Sequence, residues 1–137
     1  MFLLDTHVVS ESRKIGADIR VISWIAGQDA ACFYLSVLTL MELEIGILRI
    51  ERRDPKQGKR LRTWMDRHVL PEFLERTLPI DSAVALKCAQ LHVPDRRAER
   101  NTLIAATAIV HGMTGVTGNV ADFEATGVGL INPWIET

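Results

Sequence analysis

Cysteine is scarce in this chain. Cys32 and Cys88 are the only two among 137 residues. They lack the spacing of a metal knuckle and sit in apolar surroundings, so they read as reduced core residues. Long hydrophobic runs are also missing. No stretch reaches the roughly 18 apolar residues of a membrane span. The apolar start lacks a basic leader and breaks at Asp5, so no signal peptide is expected. Charge of one sign is missing too. The formal net charge is -1, so any nucleic-acid binding has to come from local patches. There is no internal repeat, low-complexity tract or linker.

What is present is a foldable mixture. Hydrophobic residues make up 47% and charged residues 24%, which supports a real core and argues against global disorder. The length suits one domain spanning residues 1–137. A cytoplasmic protein without membrane contact is the expectation.

The chain is organised around its start, MFLLDTHVVSE. Phe2-Leu3-Leu4 is too short for a helix and stops at Asp5-Thr6, which reads as a buried strand feeding a loop and a helix. Asp5 then sits at the carboxyl end of a strand, where ligands collect in an open α/β sheet. A carboxylate beside a dry core is costly unless a cation or donor answers it. It can also simply cap the next helix.

Further along, Val8–Lys14 and Ile19–Gly27 read as helices, with Trp24 a packing residue. Ala31–Ser36 reads as a strand. Ser36 offers an N-cap for a helix from Val37 to about Arg52, whose Leu40, Leu43, Ile47 and Ile50 share a face. Glu42 lies near its N-terminal end, off that stripe. A carboxylate there is favoured by the macrodipole, so Glu42 also has a bland explanation. The apolar residues of Val37–Leu48 exceed one core-facing stripe, which fits a second covered surface or burial on several sides.

Asp54-Pro55 breaks that helix. Lys56–Glu75 reads as the next, with Leu61, Trp64, Met65, His68 and Val69 on one side. Half of the 16 Lys and Arg residues fall between Arg49 and Arg67. That run is either a solvated helical hairpin or a surface for phosphates or an acidic partner.

Thr77–Ile80 is an edge strand or strand end. Asp81 caps a helix running to about His92. Pro94–Arg100 is a charged loop. Asn101–His111 is a small-residue helix that Gly112 ends. Gly115–Thr117 and Val128–Ile131 are strands, with a turn or short helix over Asn119–Glu124. Strands alternating with helices point to an α/β fold: a mainly parallel central sheet flanked by helices in three layers.

The polar residues then fall into a pattern. An acid ends the first strand (Asp5), an acid rides the helix after the second (Glu42), and Asn119 and Asp122 come after a late strand. In a parallel sheet these strand ends share one edge. Hard oxygen ligands with no Cys or clustered His suit Mg²⁺ or Mn²⁺ rather than zinc.

Three segments carry a resemblance: LLDTHVVSE at the start, LSVLTLMELEIGI in the first third, and TLIAATAIVHGMTGVTGNVADFEATGVGLINPW at the end. In order and spacing they resemble the PIN-domain family, specifically its VapC-like ribonuclease toxins of type II toxin–antitoxin systems, over essentially the whole chain. The resemblance implies a PIN-like domain that hydrolyses RNA with Mg²⁺ or Mn²⁺ bound at four acidic positions. These positions, both catalytic and metal-ligating, fall on Asp5, Glu42, Asn101 and Asp122, with Thr6, Thr117 and Asn119 as a secondary set.

Asn101 departs from the family's usual Asp, so a weakened or inactive enzyme is expected. His7 stands where Asn is frequent, and Gly118 where Arg is common. Arg60, Arg62, Arg96 and Arg97 are the candidate RNA contacts. The resemblance further implies a homodimer, a cognate VapB-like antitoxin with which it forms a higher assembly, and contact with DNA only through that antitoxin.

One alternative is a catalytically silent binding module within a DNA-bound repressor complex, which Asn101 favours. Two other hydrolase-like folds fit poorly. A haloacid-dehalogenase-like phosphatase wants a second Asp two residues after the first, where this chain has His7. A phosphate-accepting receiver domain wants paired acids that are missing here.

Overall fold

The computed structural model describes residues 1–135. Strand β1 (Phe2–Leu4) is followed by α1 (Thr6–Glu11) and α2 (Ile19–Ala26), then a 3₁₀ turn at Ala30–Cys32 and β2 (Phe33–Ser36). Helix α3 (Val37–Arg53) leads into α4 (Pro55–Trp64), a π-helical turn at Met65–Val69 and the single turn α5 (Leu70–Glu72). The rest is β3 (Thr77–Leu78), α6 (Ser82–Leu91), α7 (Glu99–Val110), β4 (Thr114–Val116), α8 (Val120–Phe123), a 3₁₀ turn at Glu124–Thr126 and β5 (Leu130–Ile131).

The five strands form one sheet in the order β3-β2-β1-β4-β5. Every pairing is parallel: Phe2 lies opposite Phe33 on one side and Thr114 on the other, and the outer pairs are parallel too. All carboxyl ends therefore share one edge. The order runs outward from β1 to β3 and restarts at β4, so the switch point lies between β1 and β4, where such sheets open a crevice.

A sheet buried on both faces needs apolar side chains pointing both ways. Leu4 packs with Val8, Val9, Leu43, Ile47, Leu61 and Met65, from α1, α3, α4 and the π turn. Its neighbour Leu3 packs on the other face with Ile104, Ala105 and Ala108 of α7 and with Phe123. Each such fully buried Leu contributes roughly 1.5–3 kcal/mol. Phe2, Trp24 and Phe33 form an aromatic cluster with ring centroids 5.1–6.1 Å apart, so Trp24 does pack.

Local sequence explains the element starts. Asp5, Ser36, Asp54 and Asp81 each accept a backbone N–H at the head of a helix, which satisfies donors the helix itself cannot. Pro55 occupies the first turn of α4, where its missing N–H costs nothing. Gly112 ends α7 with φ of 65°, a left-handed conformation that favours glycine.

Gly58 has a different task. A Cβ there would lie 2.6 Å from the Cα of Glu51. Only glycine lets α4 cross α3 this closely.

Some expectations shift. The helix expected over Lys56–Glu75 is not continuous: α4 ends at Trp64 and the chain widens into the π turn. Pro71 supplies the reason, since it offers no N–H and its ring crowds the carbonyl four residues earlier. Leu61, Met65 and Val69 still face inward, but His68 is exposed. The second strand is shorter than expected because Asp29 caps a 3₁₀ turn over its first residues. Cys88 is buried and Cys32 half-buried, both with free thiols. No helix among the described residues is long and apolar enough to cross a membrane.

Candidate functional site

The site is built from the segments at the carboxyl ends of β1, β2 and β4. Asp5 leaves β1 at the switch point, and its own N–H donates to the Val116 carbonyl at 2.9 Å. Its side chain is nearly buried, with the residue 8% exposed. Oδ1 accepts the Thr6 N–H at 2.7 Å. Oδ2 accepts the Thr117 hydroxyl at 2.7 Å, across from β4. His7 Nδ1 stands 3.9 Å from Oδ2.

Two further bonds extend this core. The Thr6 hydroxyl donates to Glu42 Oε1 at 3.1 Å. The Thr117 hydroxyl oxygen accepts the Asn119 N–H at 2.9 Å. Asn119, Thr117, Asp5, Thr6 and Glu42 thus form one hydrogen-bonded chain around the carboxyl edge of the sheet. A cavity of about 480 Å³ opens beside it, lined by Asp5, His7, Gly118, Asn119 and Trp134.

Asn101 and Asp122 are placed less tightly. Asn101 is half-buried in the first turn of α7. It stands one turn before Ile104 and Ala105, which line a small internal void with Asp5 and Thr117; residues three and four apart share a helix face. Asp122 is exposed on α8, and its N–H donates to the Asn119 carbonyl at 3.0 Å. Neither side chain hydrogen-bonds into the chain described above.

Among the described residues, no three Asp, Glu, His or Cys side chains come together in a ligating cluster. The chemistry of the donor set nevertheless fits a hard divalent cation. The atoms assembled are carboxylate, hydroxyl and amide oxygens, with a single imidazole nearby.

The basic candidates separate clearly. Arg62 is committed to a half-exposed ion pair between α4 and α3: its two terminal nitrogens reach Glu44 at 2.7 and 2.8 Å, and its Nε and Nη2 also reach Glu51. These bonds hold the Arg62 guanidinium above its ordinary pKa and the Glu44 carboxyl below its own. A guanidinium so neutralised has little left for a phosphate. Arg97 is half-spent, with Nε on the Leu91 carbonyl at 2.8 Å. Arg60 and Arg96 are exposed.

Sequence reasoning passes over Trp134 and gives Gly118 little weight. A Cβ on Gly118 would lie 2.9 Å from the indole of Trp134, so the glycine makes room for the ring that walls the cavity. The adjoining NPW segment is the available signal.

Residues 2–128 match the family described as PIN domain. The chain belongs to the PIN-domain family.

Its similarities extend over full length. It is 36% identical to plasmid stability protein StbB of Pseudomonas syringae pv. tomato, covering 98% of this chain and 99% of that protein. It is 34% identical to VapC ribonuclease Y4jK of Sinorhizobium fredii, covering 98% of each. Among solved structures it is similar to FitAcB of Neisseria gonorrhoeae, with a TM-score of 0.92, 33% identity, and coverage of 99% of this chain and 100% of that one. FitAB bound to the IR36 DNA fragment gives the same score and identity, with coverage of 100% and 98%. This PIN domain is therefore a homologue of VapC- and FitB-type toxins, and its five-stranded parallel sheet is the architecture they share.

Proposed function

We propose that this chain is a VapC-type toxin endoribonuclease, weakened by Asn101, that hydrolyses RNA phosphodiester bonds with Mg²⁺ or Mn²⁺. The observation that carries this reading is the Asp5–Thr6–Glu42 linkage at the switch point between β1 and β4. It joins two carboxylates from distant parts of the chain beside an open cavity.

Asp5, Glu42, Asn101 and Asp122 are the residues that would hold the ion. The chemistry a bound ion supplies is polarisation of the scissile phosphate and a lowered pKa for a bound water. The rest falls to the chain itself. Thr117 and the Thr6 N–H fix the Asp5 carboxylate in one orientation. The Thr6 hydroxyl does the same for Glu42. Asn119 and Asp122 close the β4 side, and their loop is held by Thr117. The Asn101 amide oxygen accepts a hydrogen bond but brings no charge. Fewer carboxylates weaken affinity for hard cations, which makes this chain the weakened form.

The similar FitAcB and FitAB structures support a cognate VapB-like antitoxin, a homodimer within a larger assembly, and DNA contact through the antitoxin. A net charge of -1 agrees with DNA contact being indirect. Arg60 and Arg96 are the freest of the four candidate RNA contacts.

The test is cleavage of a labelled structured RNA with Mg²⁺, Mn²⁺ or EDTA, comparing the native chain with Asn101→Asp. The Asp form is expected to cut, the native chain to cut far more slowly, and EDTA to stop both. Equal cutting by both sinks the assignment of Asn101 as the weakening residue. The missing carboxylate at 101 favours one second reading, a silent module acting within a DNA-bound toxin–antitoxin complex. It gains if Asn101→Asp fails to cut any RNA offered.

A further inference from the structure

A groove leaves the acidic edge and runs between α1, α3 and α4. Its inner part, about 110 Å³, is lined by Thr6 and Glu42 at one end and by Arg13 and Trp64 at the other. Gly46 forms part of its wall, and a Cβ there would touch nothing within 4 Å, so this stretch is clear of side chains. Arg13 and Trp64 also line the next, wider part, about 530 Å³, together with Lys14, Gln57 and Arg60. The shared residues make the two parts continuous. Arg13 lies in the turn that follows the end of α1 at Glu11.

The lining changes character along this path. It is acidic at Glu42, apolar over Leu43, Ile47 and Leu61, and basic at Arg13, Lys14 and Arg60. Arg13 carries its guanidinium 5.6 Å from the centre of the Trp64 ring, within cation–π range. Lys14 reaches Glu11 at 3.3 Å. The Arg13 and Arg60 guanidinium groups form no hydrogen bond or ion pair among the described residues, although Arg62, on the same helix as Arg60, is fully neutralised. Two unpaired guanidinium groups flanking an open groove match a chain of phosphates. A ring beneath one of them limits its rotamers before any ligand arrives.

We infer that this groove carries the single-stranded RNA on one side of the scissile bond, with Arg13 and Arg60 gripping its phosphates. Trp64 acts as the positioning residue that holds Arg13. This rests on the reading of the chain as a ribonuclease of its family, and it names where the substrate runs. The functional consequence is a directional path: one flank of the substrate lies along α1 toward Arg13 and Arg60, and the cut falls at the Asp5 end.

The experiment is binding of a short fluorescein-labelled single-stranded oligoribonucleotide to the full chain in EDTA, by anisotropy over a salt series. The variants are Arg13→Gln/Arg60→Gln, Trp64→Leu and Trp64→Phe. The control is Lys87→Gln on α6, in the opposite helical layer. The double Arg variant is expected to bind roughly tenfold more weakly, and its plot of log affinity against log salt to flatten by about 1.4, from two lost phosphate contacts at about 0.7 each. Trp64→Leu should weaken binding and Trp64→Phe restore most of it, with thermal melts reporting whether each variant is folded.

Native-like affinity and slope in the double variant would falsify the inference. So would a groove that takes an acidic poly-Glu peptide in preference to RNA, which makes it a peptide site. The two levels separate through the cleavage assay. If Asn101→Asp cuts RNA while the Arg variants bind normally, the groove assignment fails alone. If the Arg variants lose binding while Asn101→Asp never cuts, the groove stands as an RNA site, but the nuclease reading fails and the placement of a scissile bond at the Asp5 end fails with it. If the native chain binds no RNA, both fall.

Discussion

Thr117→Val tests whether the candidate site is held together as described. Valine keeps the shape of threonine and removes only the hydroxyl. That hydroxyl donates to Asp5 Oδ2 at 2.7 Å and accepts the Asn119 N–H at 2.9 Å. Losing a bond to a carboxylate that is 8% exposed costs about 1.5–3 kcal/mol, and losing the neutral bond about 0.5–1.5 kcal/mol. Water entering from the adjoining cavity offsets part of this, leaving about 2–3 kcal/mol. At about 2.1 cal/mol/K of unfolding entropy per residue, a chain of 137 residues loses about 3.5 °C of Tm per kcal/mol. A calorimetric scan in EDTA should therefore place Thr117→Val roughly 7–10 °C below the native chain. Thr117→Ser keeps the hydroxyl and should lie within about half that. A Val variant within about 2 °C of native, or a Ser variant that falls as far as Val, refutes the idea that this hydroxyl organises the edge. In the Asn101→Asp background the same change should cut RNA cleavage at least tenfold, because Asp5 loses the bond that orients it.

Two further perturbations test the frame around the site. Gly58→Ala forces α3 and α4 apart, since the new Cβ would lie 2.6 Å from Glu51 Cα and 3.0 Å from Glu51 N. Overpacking of about 1–3 kcal/mol, less up to about 1 kcal/mol of helix propensity, leaves a Tm several degrees lower, and a raised Tm on a thermal scan would show slack between the helices. Glu44→Gln tests the ion pair through pH: Arg62 lowers the native carboxyl below its ordinary 4.5, so its stabilisation is full above that value and fades as pH falls through the lowered one. Because Glu44 is 38% exposed, the difference between variant and native should stay under about 1 kcal/mol at neutral pH. It should shrink in urea melts below about pH 4, and a difference that persists in acid argues against the pair.

The fold is legible in the sequence because several local signals agree. Phe2-Leu3-Leu4 and the β2 segment are short apolar runs that stop at polar residues, and Asp5, Ser36, Asp54 and Asp81 all cap the helices they precede. Where sequence and structure part, the cause is non-local or a single special residue. Pro71 is visible, but its effect upstream, the π turn that sends His68 outward, needs the backbone to be seen. Gly58 carries no signal by itself; its necessity comes from Glu51 on another helix. The basic run from Arg49 to Arg67 reads as one surface, yet Arg62 pairs with Glu44 and Glu51 on the crossing helix while Arg60 has no acid partner among the described residues. Charge counts cannot make that distinction, because it depends on which acids a crossing helix brings alongside.

At Asp5 the structural and functional readings are not competitors. A helix N-cap needs an oxygen in extended backbone geometry, and a site at the carboxyl edge of a parallel sheet needs an oxygen where strand turns into helix. Both conditions select one position. Asp5 uses Oδ1 on the Thr6 N–H and keeps Oδ2 for the cross-sheet Thr117 hydroxyl. The cap thus fixes the rotamer that aims the second oxygen toward the switch point. Glu42 is the contrast: it sits within α3, past the Ser36 cap, so its orientation must come from elsewhere. The Thr6 hydroxyl provides it. Thr6 therefore ties both acids, through its N–H to Asp5 and through its hydroxyl to Glu42. Any residue but proline supplies that N–H, so what threonine adds to the candidate site is the hydroxyl that orients Glu42.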